Sequence, residues 1–284
     1  MKVVRAEVLG MCFGVRDALK AIARIPDPRS VTIHGQLVHN ETVLTQLDSS
    51  GFTMSDESKR ESIPETPIVL ITAHGISDKE RARLANAGKQ LVDTTCPLVT
   101  RAHQAALTLK EQGYFIVLIG KRGHVEVQGI IEDLDRFEVV SNLTEVKQYP
   151  STRIGILCQT TTPTRLVEEI RSAVAERNPE AEIRFIDTVC LPTKDHQRSL
   201  EQLIDQVEAV VVVGGSNSNN TRELAKRCAE RGLPVVHVQG PDDLDADWLA
   251  QFETVGLTAG TSTLESTINE VHESMIRMTE KVEA

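Results

Sequence analysis

The chain has 284 residues, a length that predicts about two domains with cores of their own. Hydrophobic residues make up 40% and charged residues 25%, which excludes a chain that is disordered throughout. Aromatic residues are only 3% and the net charge is −10, so neither a nucleic-acid surface nor a membrane surface is expected. The sequence has no run near the ~20 apolar residues of a membrane helix and no apolar secretion signal at its start, so we expect a cytoplasmic location.

Short apolar segments alternate with helical patterns along the whole chain. The predicted strands are 68–71, 115–119, 154–157 and 210–213. The predicted helix faces are Val15-Leu19-Ile22-Ile25, Val99-Ala102-Ala106-Leu109, with Gly113 closing that helix, and Leu200-Leu203-Ile204-Val207. Segments that are apolar on both faces suit strands of a parallel sheet covered by helices, so the pattern predicts an α/β fold.

Three of the five cysteines occupy the same place in a repeated unit. Segments 93–97 and 187–192 share the pattern Asp-Thr-x-Cys with a proline close behind. Cys12, Cys96 and Cys190 each lie between a strand-like segment and a helical pattern. In a reducing compartment an odd number of separated cysteines favours buried thiols, metal or catalysis over disulfides. Cys158 falls inside a strand and Cys228 inside a helix, so both are predicted to be core thiols.

The three repeated cysteines favour a metal centre. If three like units are arranged about an axis, their thiolates converge and need a cation between them. Structural zinc sites usually take cysteines in close pairs, which this sequence lacks, whereas a 4Fe–4S cluster accepts ligands from distant segments. With three cysteine ligands, one iron stays open to substrate. Three unconnected buried thiols are the alternative.

Polar loops follow the predicted strands, and functional residues of parallel sheets gather at these ends. The loops are 34–40, 72–75, 123–127, 159–161, 214–221 and 258–262. Their histidines, hydroxyls and asparagines suit phosphate oxygens, although each loop alone is also explained as a turn with a helix cap. Loop 214–221 matches neither a P-loop nor a dinucleotide fingerprint, which favours a diphosphate that is not part of a nucleotide.

Glu126 is a candidate proton donor, because it follows His124 by two residues in one of these loops. A carboxyl group donates a proton near neutral pH only if burial raises its pKa. The alternative is a solvated loop carboxylate.

These motifs together resemble the 4-hydroxy-3-methylbut-2-enyl diphosphate reductase family of the non-mevalonate isoprenoid pathway. The chain departs from the common family pattern at Asn219, Leu264 and His196. The matching segments run from residue 10 to about 265: 10–15, 38–40, 73–77, 93–99, 123–127, 159–161, 187–190, 217–220 and 258–262.

The resemblance implies three pseudo-threefold-related α/β domains with mainly parallel sheets around a central cluster. Their segments are 14–95, 96–189 and 190–284, joined by the N-terminal segment 1–13. It further implies one 4Fe–4S cluster per chain, with Cys12, Cys96 and Cys190 as ligands. Glu126 and Thr160 would be catalytic. The implied diphosphate ligands are His39, His74, His124, Ser218, Asn219, Asn220 and Ser262.

The implied reaction is the reductive dehydroxylation of (E)-4-hydroxy-3-methylbut-2-enyl diphosphate to isopentenyl and dimethylallyl diphosphates. Its electrons would come from ferredoxin or flavodoxin. Two other functions stay open at this point: an iron–sulfur lyase of the quinolinate synthase type, and a non-catalytic sensor of phosphometabolites or redox state. The diphosphate-type loops favour the reductase over the first, and the intact Glu126 and cysteines favour it over the second.

Overall fold

The computed structural model describes residues 1–56 and 62–282, which fall into two compact units. Unit 1 comprises Met1–Val15, His39–Val43 and Leu191–Ala284, of which 283 and 284 lie outside the described residues. Unit 2 comprises Arg16–Val38 and Leu44–Cys190, apart from 57–61. The division into segments 14–95, 96–189 and 190–284 stays a prediction.

Strands and helices alternate in both units. The strands are β1 (Lys2–Arg5), β2 (Val31–His34), β3 (Thr53–Met54), β4 (Ile68–Ile71), β5 (Gln90–Asp93), β6 (Phe115–Ile119), β7 (Phe137–Val140), β8 (Arg153–Cys158), β9 (Glu182–Phe185), β10 (Ala209–Val213), β11 (Val235–Val238) and β12 (Thr254–Ala259). The α-helices are α1 (Phe13–Ile22), α2 (Glu41–Ser49), α3 (Asp78–Asn86), α4 (Pro97–Glu111), α5 (Val125–Ile131), α6 (Thr164–Arg177), α7 (Leu191–Ile204), α8 (Asn219–Glu230), α9 (Ala246–Leu249) and α10 (Glu265–Val282).

Among the described residues, three four-stranded sheets carry the fold, and every strand pairing is parallel. Unit 2 holds two of them, with strand orders β3-β2-β4-β5 and β7-β6-β8-β9. The sheet of unit 1 has the order β1-β12-β10-β11. Read from its other edge, this order is β11-β10-β12-β1, which matches the order of the other two sheets. β1 takes the place that β5 and β9 have in those sheets. The predicted α/β class with parallel sheets is confirmed.

The apolar runs form the central strands, as the sequence predicts. β6 and β10 are buried at all five positions, because helices cover both faces of a parallel sheet. Cys158 and Cys228 belong to these cores and are fully buried, which confirms the prediction for both thiols. Burial raises the pKa of the Cys228 thiol to about 12, so it stays protonated.

Two predicted helix faces extend too far. α1 ends at Ile22, so Ile25 lies beyond it, because Pro26 disfavours helical backbone at the residue before it. α7 ends at Ile204. Just beyond it, the N–H of Gln206 donates at 3.0 Å to the carbonyl of Leu203, three residues back, whereas an α-helix bonds residues four apart. Val207 therefore lies outside the helix.

Within the described part of the chain, no helix has both the length and the apolar character needed to cross a membrane.

Candidate functional site

The three repeated cysteines share one backbone setting. Each follows an edge strand and immediately precedes a helix: Cys12 precedes α1, Cys96 caps α4 and Cys190 precedes α7. Each N–H donates to the carbonyl of the residue two past the end of the neighbouring strand in its sheet. These bonds are Cys12 to Thr261 (3.0 Å), Cys96 to Ala73 (3.0 Å) and Cys190 to Thr160 (2.9 Å). One structural device therefore occurs three times, as the sequence repeat predicts.

This setting suits thiolate ligands. All three cysteines are thiols and partly exposed, unlike Cys158 and Cys228. The start of a helix carries partial positive charge, which stabilises a negatively charged group there. Three soft sulfur donors in equivalent places fit an iron–sulfur cluster better than a hard, oxygen-preferring cation.

Glu126 is buried in the first turn of α5, with 2% of its surface exposed. Its Oε1 accepts the backbone N–H of Thr160 at 2.7 Å, and its Oε2 accepts the Thr160 hydroxyl at 2.9 Å. Burial raises the pKa of Glu126 to about 7, outweighing the two hydrogen bonds, which lower it. The solvated-loop alternative is therefore wrong: Glu126 is helical, buried and able to hold a proton near neutral pH.

His74 and His124 lie side by side near Glu126. Their ring centroids are 5.7 Å apart, with the rings nearly perpendicular. His124 caps α5, and its Nδ1 accepts the N–H of Glu126 at 3.1 Å. A neutral ring that accepts at Nδ1 carries its proton on Nε2, which makes Nε2 a donor for an anion. A cavity of about 90 Å³ is lined in part by His74 and Glu126.

In unit 1 the hydroxyls of Ser218 and Ser262 lie together. Ser218 caps α8 by accepting the N–H of Thr221 at 3.3 Å, and its Oγ lies 3.5 Å from that of Ser262. The Ser262 hydroxyl also donates to the carbonyl of His39 at 3.2 Å. Asn40, just after His39, donates from Nδ2 to the carbonyl of Ser262 at 2.8 Å. Three loops distant in sequence thus meet in this unit.

The first turn of α8 supplies two amide side chains. Asn219 is partly exposed, whereas Asn220 is 3% exposed. The Asn220 Nδ2 group has no hydrogen-bond partner among the described residues. A buried donor without a partner is costly, and such a group is a natural place for a bound acceptor.

The loop before α8 depends on a glycine. A Cβ on Gly215 would lie 2.7 Å from the carbonyl oxygen of His39, closer than real contacts allow. The neighbouring Ser216 hydroxyl donates to Glu41 Oε1 at 2.8 Å.

From the sequence, neither Asn40 nor Glu41 is predicted as a site residue. An asparagine just before a predicted helix is a sequence signal for an N-cap residue. Asn40 has this role, because its Oδ1 accepts the N–H of Val43 at 3.1 Å.

The structure thus brings the predicted residues together in two groups. In unit 2, Thr160 is hydrogen-bonded to Glu126, and its carbonyl accepts the N–H of Cys190. His74 lies beside His124 in the same unit. Unit 1 joins the loops of His39, Ser218 and Ser262.

Known proteins resemble this chain over nearly its whole length. A family model described as "LytB protein" matches residues 3–276. The 4-hydroxy-3-methylbut-2-enyl diphosphate reductase of Pelobacter propionicus is 34% identical over 276 residues, covering 95% of this chain and 96% of that protein. The reductase 1 of Mycobacterium tuberculosis is 30% identical over 270 residues, with 92% of this chain and 82% of that protein covered.

Solved structures give the same result. The E-1-hydroxy-2-methyl-but-2-enyl-4-diphosphate reductase of Plasmodium falciparum matches with a TM-score of 0.87 and 25% identity, over 96% of this chain and 87% of that one. A second structure, titled as the reductase that is the terminal enzyme of the non-mevalonate pathway, has a TM-score of 0.66 and 28% identity, over 98% and 100% of the two chains. The resemblance drawn from the motifs is confirmed, and the chain belongs to the LytB protein family.

Proposed function

We propose that the chain reduces (E)-4-hydroxy-3-methylbut-2-enyl diphosphate to isopentenyl and dimethylallyl diphosphates, the terminal step of the non-mevalonate pathway. The observation that carries this proposal is a series of hydrogen bonds in unit 2 that links three residues. Glu126, with its pKa raised to about 7, bonds to Thr160, and the Thr160 carbonyl accepts the N–H of Cys190. A proton donor and a candidate metal ligand are thereby held at one place.

The ligands of a single 4Fe–4S cluster in this proposal are Cys12, Cys96 and Cys190. Their repeated setting before three helices supports equal roles. When bound, such a cluster supplies electrons and, at the iron without a cysteine ligand, a Lewis acid. The pseudo-threefold arrangement of segments 14–95, 96–189 and 190–284 around it belongs to the same proposal.

In this proposal, hydrogen-bond donors bind the substrate diphosphate. The buried Asn220 Nδ2 and the Nε2 of His124 are suited to this role, since each is a donor and phosphate oxygens are strong acceptors. Fixing the diphosphate positions the distant hydroxyl group before reaction. The full proposed set is His39, His74, His124, Ser218, Asn219, Asn220 and Ser262.

Glu126 supplies the proton that allows water to leave. The net reaction consumes two electrons and two protons, replaces a C–O bond by a C–H bond and releases one water. Since the pKa of Glu126 is about 7, a large fraction of the carboxyl groups is protonated at neutral pH. Its bond to the Thr160 hydroxyl gives the proton a second route, through that hydroxyl.

Ferredoxin or flavodoxin donates the electrons in this proposal, and no nucleic acid or membrane takes part. The cytoplasmic location expected from the sequence stays a prediction.

The experiment is an anaerobic turnover assay on the cluster-loaded chain. With reduced ferredoxin or flavodoxin and the allylic diphosphate, both isopentenyl and dimethylallyl diphosphates are expected in the product analysis. A parallel reaction with the dicarboxylic imine used by quinolinate synthase is expected to give nothing. A loaded chain that leaves the diphosphate unchanged would contradict the proposal and favour a sensor.

A further inference from the structure

Asp133, just after α5, is bonded to the start of α3. Its Oδ2 accepts the N–H of Asp78 at 2.6 Å, and its Oδ1 accepts the N–H of Lys79 at 3.2 Å. Only 5% of Asp133 is exposed. The carboxylate thus satisfies two N–H groups that a helix start leaves without partners.

The residue before it strengthens the same connection. Glu132 Oε2 accepts the hydroxyl of Ser77 at 2.6 Å, and its carbonyl accepts Lys79 Nζ at 2.6 Å. Ser77 caps α3 and lies three residues after His74. These bonds therefore tie the loop that carries His74 to the end of α5, the helix that begins next to His124.

α4 joins the same point. His103 Nε2 lies 2.9 Å from Asp133 Oδ2, and Lys110 Nζ donates to the Asp133 carbonyl at 2.7 Å. α4 begins immediately after Cys96. Asp133 is thus bonded to the helices that follow His74 and Cys96, and it directly follows the helix capped by His124.

The backbone of the His74 loop also lies directly on α5. A Cβ added to Gly129 would be 3.4 Å from the Cα of Ile76, which is van der Waals contact. Movement of α3 away from α5 would therefore change the 5.7 Å separation between the His74 and His124 rings.

Metal binding is the competing role for this cluster. Ligand atoms of Asp78, His103 and Asp133 all lie within 4.8 Å of one another. Both oxygens of Asp133, however, already accept backbone N–H groups. Together with the His103 ring, these N–H groups give the Asp133 carboxylate three polar partners without a cation, so the geometry favours a helix-capping carboxylate.

We propose that Asp133 is a positioning residue that sets His74 against His124 for the oxygens of a diphosphate. This inference rests on the proposed function, because it assigns both histidines to the substrate diphosphate. Two donors that bind the oxygens of one anion at the same time need a suitable separation. Loosening the α3 start therefore weakens diphosphate binding, whereas the Glu126–Thr160 pair keeps its own bonds.

The test is Asp133→Asn in the cluster-loaded chain, with inorganic diphosphate as the probe. Affinity is expected to fall about tenfold, and KM for the allylic diphosphate to rise equally, since roughly one bond to a charged ligand is lost. The kcat is expected to stay within about twofold. Asp245→Asn is the matched control: Asp245 caps α9 through the N–H groups of Asp247 and Trp248, and its replacement should change neither constant.

A second background separates positioning from general destabilisation. In His74→Ala, the further change Asp133→Asn is expected to weaken diphosphate binding less than twofold, since its effect passes through His74. A full tenfold loss in that background would overturn the proposal. So would an Asp133→Asn chain that unfolds at lower temperature but binds diphosphate as tightly as the unmodified chain.

If Asp133→Asn does not fold, Glu132→Ala takes its place. It removes the acceptor for Ser77 while leaving Asp133 intact, and about threefold weaker diphosphate binding is expected, again only when His74 is present. Unchanged binding would contradict the proposal. Diphosphate binding is measured without turnover, so an absent reductase activity would overturn the proposed function and leave this result readable on its own.

Discussion

The two units carry different chemistry in their candidate site residues. In unit 2 a carboxyl group is buried, its pKa is raised to about 7, and two imidazole rings lie nearby. In unit 1 the corresponding side chains are hydroxyls, amides and one imidazole, and the buried Asn220 Nδ2 has no partner among the described residues. The first group can hold and give up a proton in addition to offering ring N–H donors, whereas the second offers donors to an anion.

This difference shows that loops of similar sequence character can offer different chemistry. Each loop follows a parallel strand and holds small polar residues. Burial decides the role: it changes the proton affinity of Glu126, and it leaves Asn220 needing an acceptor. Substitution of Glu126 should therefore affect turnover, whereas substitution of Asn220 should affect substrate binding.

The largest effect is expected from Glu126→Gln. Glutamine keeps the shape and can still bond to both Thr160 groups, but it has no acidic proton. The kcat is expected to fall by about 10²- to 10⁴-fold, with KM changed less than about threefold, in steady-state assays under anaerobic conditions. Glu182→Gln, at an exposed carboxylate of β9, is the control and should keep full turnover. Comparable turnover by Glu126→Gln would remove Glu126 from the mechanism.

The same substitution should change how stability depends on pH. The folded pKa of about 7 lies above the ordinary value of 4.5, so the folded chain binds this proton more tightly than the unfolded chain. The resulting stabilisation is full below about pH 4.5 and is lost as the pH rises through 7, a change of about 3 kcal/mol. Thermal unfolding of both forms should be measured between pH 5 and 8. As the pH rises, the stability of Glu126→Gln should increase relative to that of the unmodified chain. Parallel pH profiles would mean that Glu126 is not buried as described.

Asn220→Ala sharpens the binding side of the comparison. Loss of one hydrogen bond to a charged ligand, about 1.5–3 kcal/mol, should raise KM about 10- to 100-fold and leave kcat nearly unchanged. The measurement is the substrate dependence of turnover in the cluster-loaded chain. A drop in kcat at unchanged KM would show that Asn220 does not act in substrate binding.

The smallest effect is expected from Ser216→Ala in the same loop. Its hydroxyl donates to Glu41 in an exposed bond, and such bonds contribute on the order of 0.5 kcal/mol. KM should therefore change less than about threefold in the assay used for Asn220→Ala. A larger change would indicate that Ser216 itself contacts the substrate.

Much of the fold could be predicted from the sequence because its signals are local. The five apolar residues of β6 leave no polar face, and so short a run rich in Ile and Val favours a buried strand. The repeat around Cys96 and Cys190 likewise placed both at the ends of strands and the starts of helices. Helix ends do not follow from the apolar pattern alone, since a proline or a tightened last turn ends α1 and α7 before their apolar patterns end.

The remaining features depend on contacts between distant segments. Glu126 is a candidate from its place beside His124, but its pKa is raised by burial in the folded chain, and its hydrogen-bond partner Thr160 lies 34 residues away. Glu132 and Asp133 gave no signal at all, because their partners at the start of α3 lie 53–55 residues away. Loop motifs can name the residue types at a site, whereas the environment that sets their chemistry comes from tertiary structure.

The central claim is that the three cysteines at the starts of helices hold one cluster, whereas the two core cysteines do not. Iron and sulfide content, with Mössbauer spectra, should be measured on anaerobically purified chain and on its five single Cys→Ser variants. We expect about four irons and four sulfides per unmodified chain, retained in Cys158→Ser and Cys228→Ser and lost or strongly reduced in Cys12→Ser, Cys96→Ser and Cys190→Ser. An unmodified chain without iron, or a full cluster in any one of those last three variants, would contradict the account.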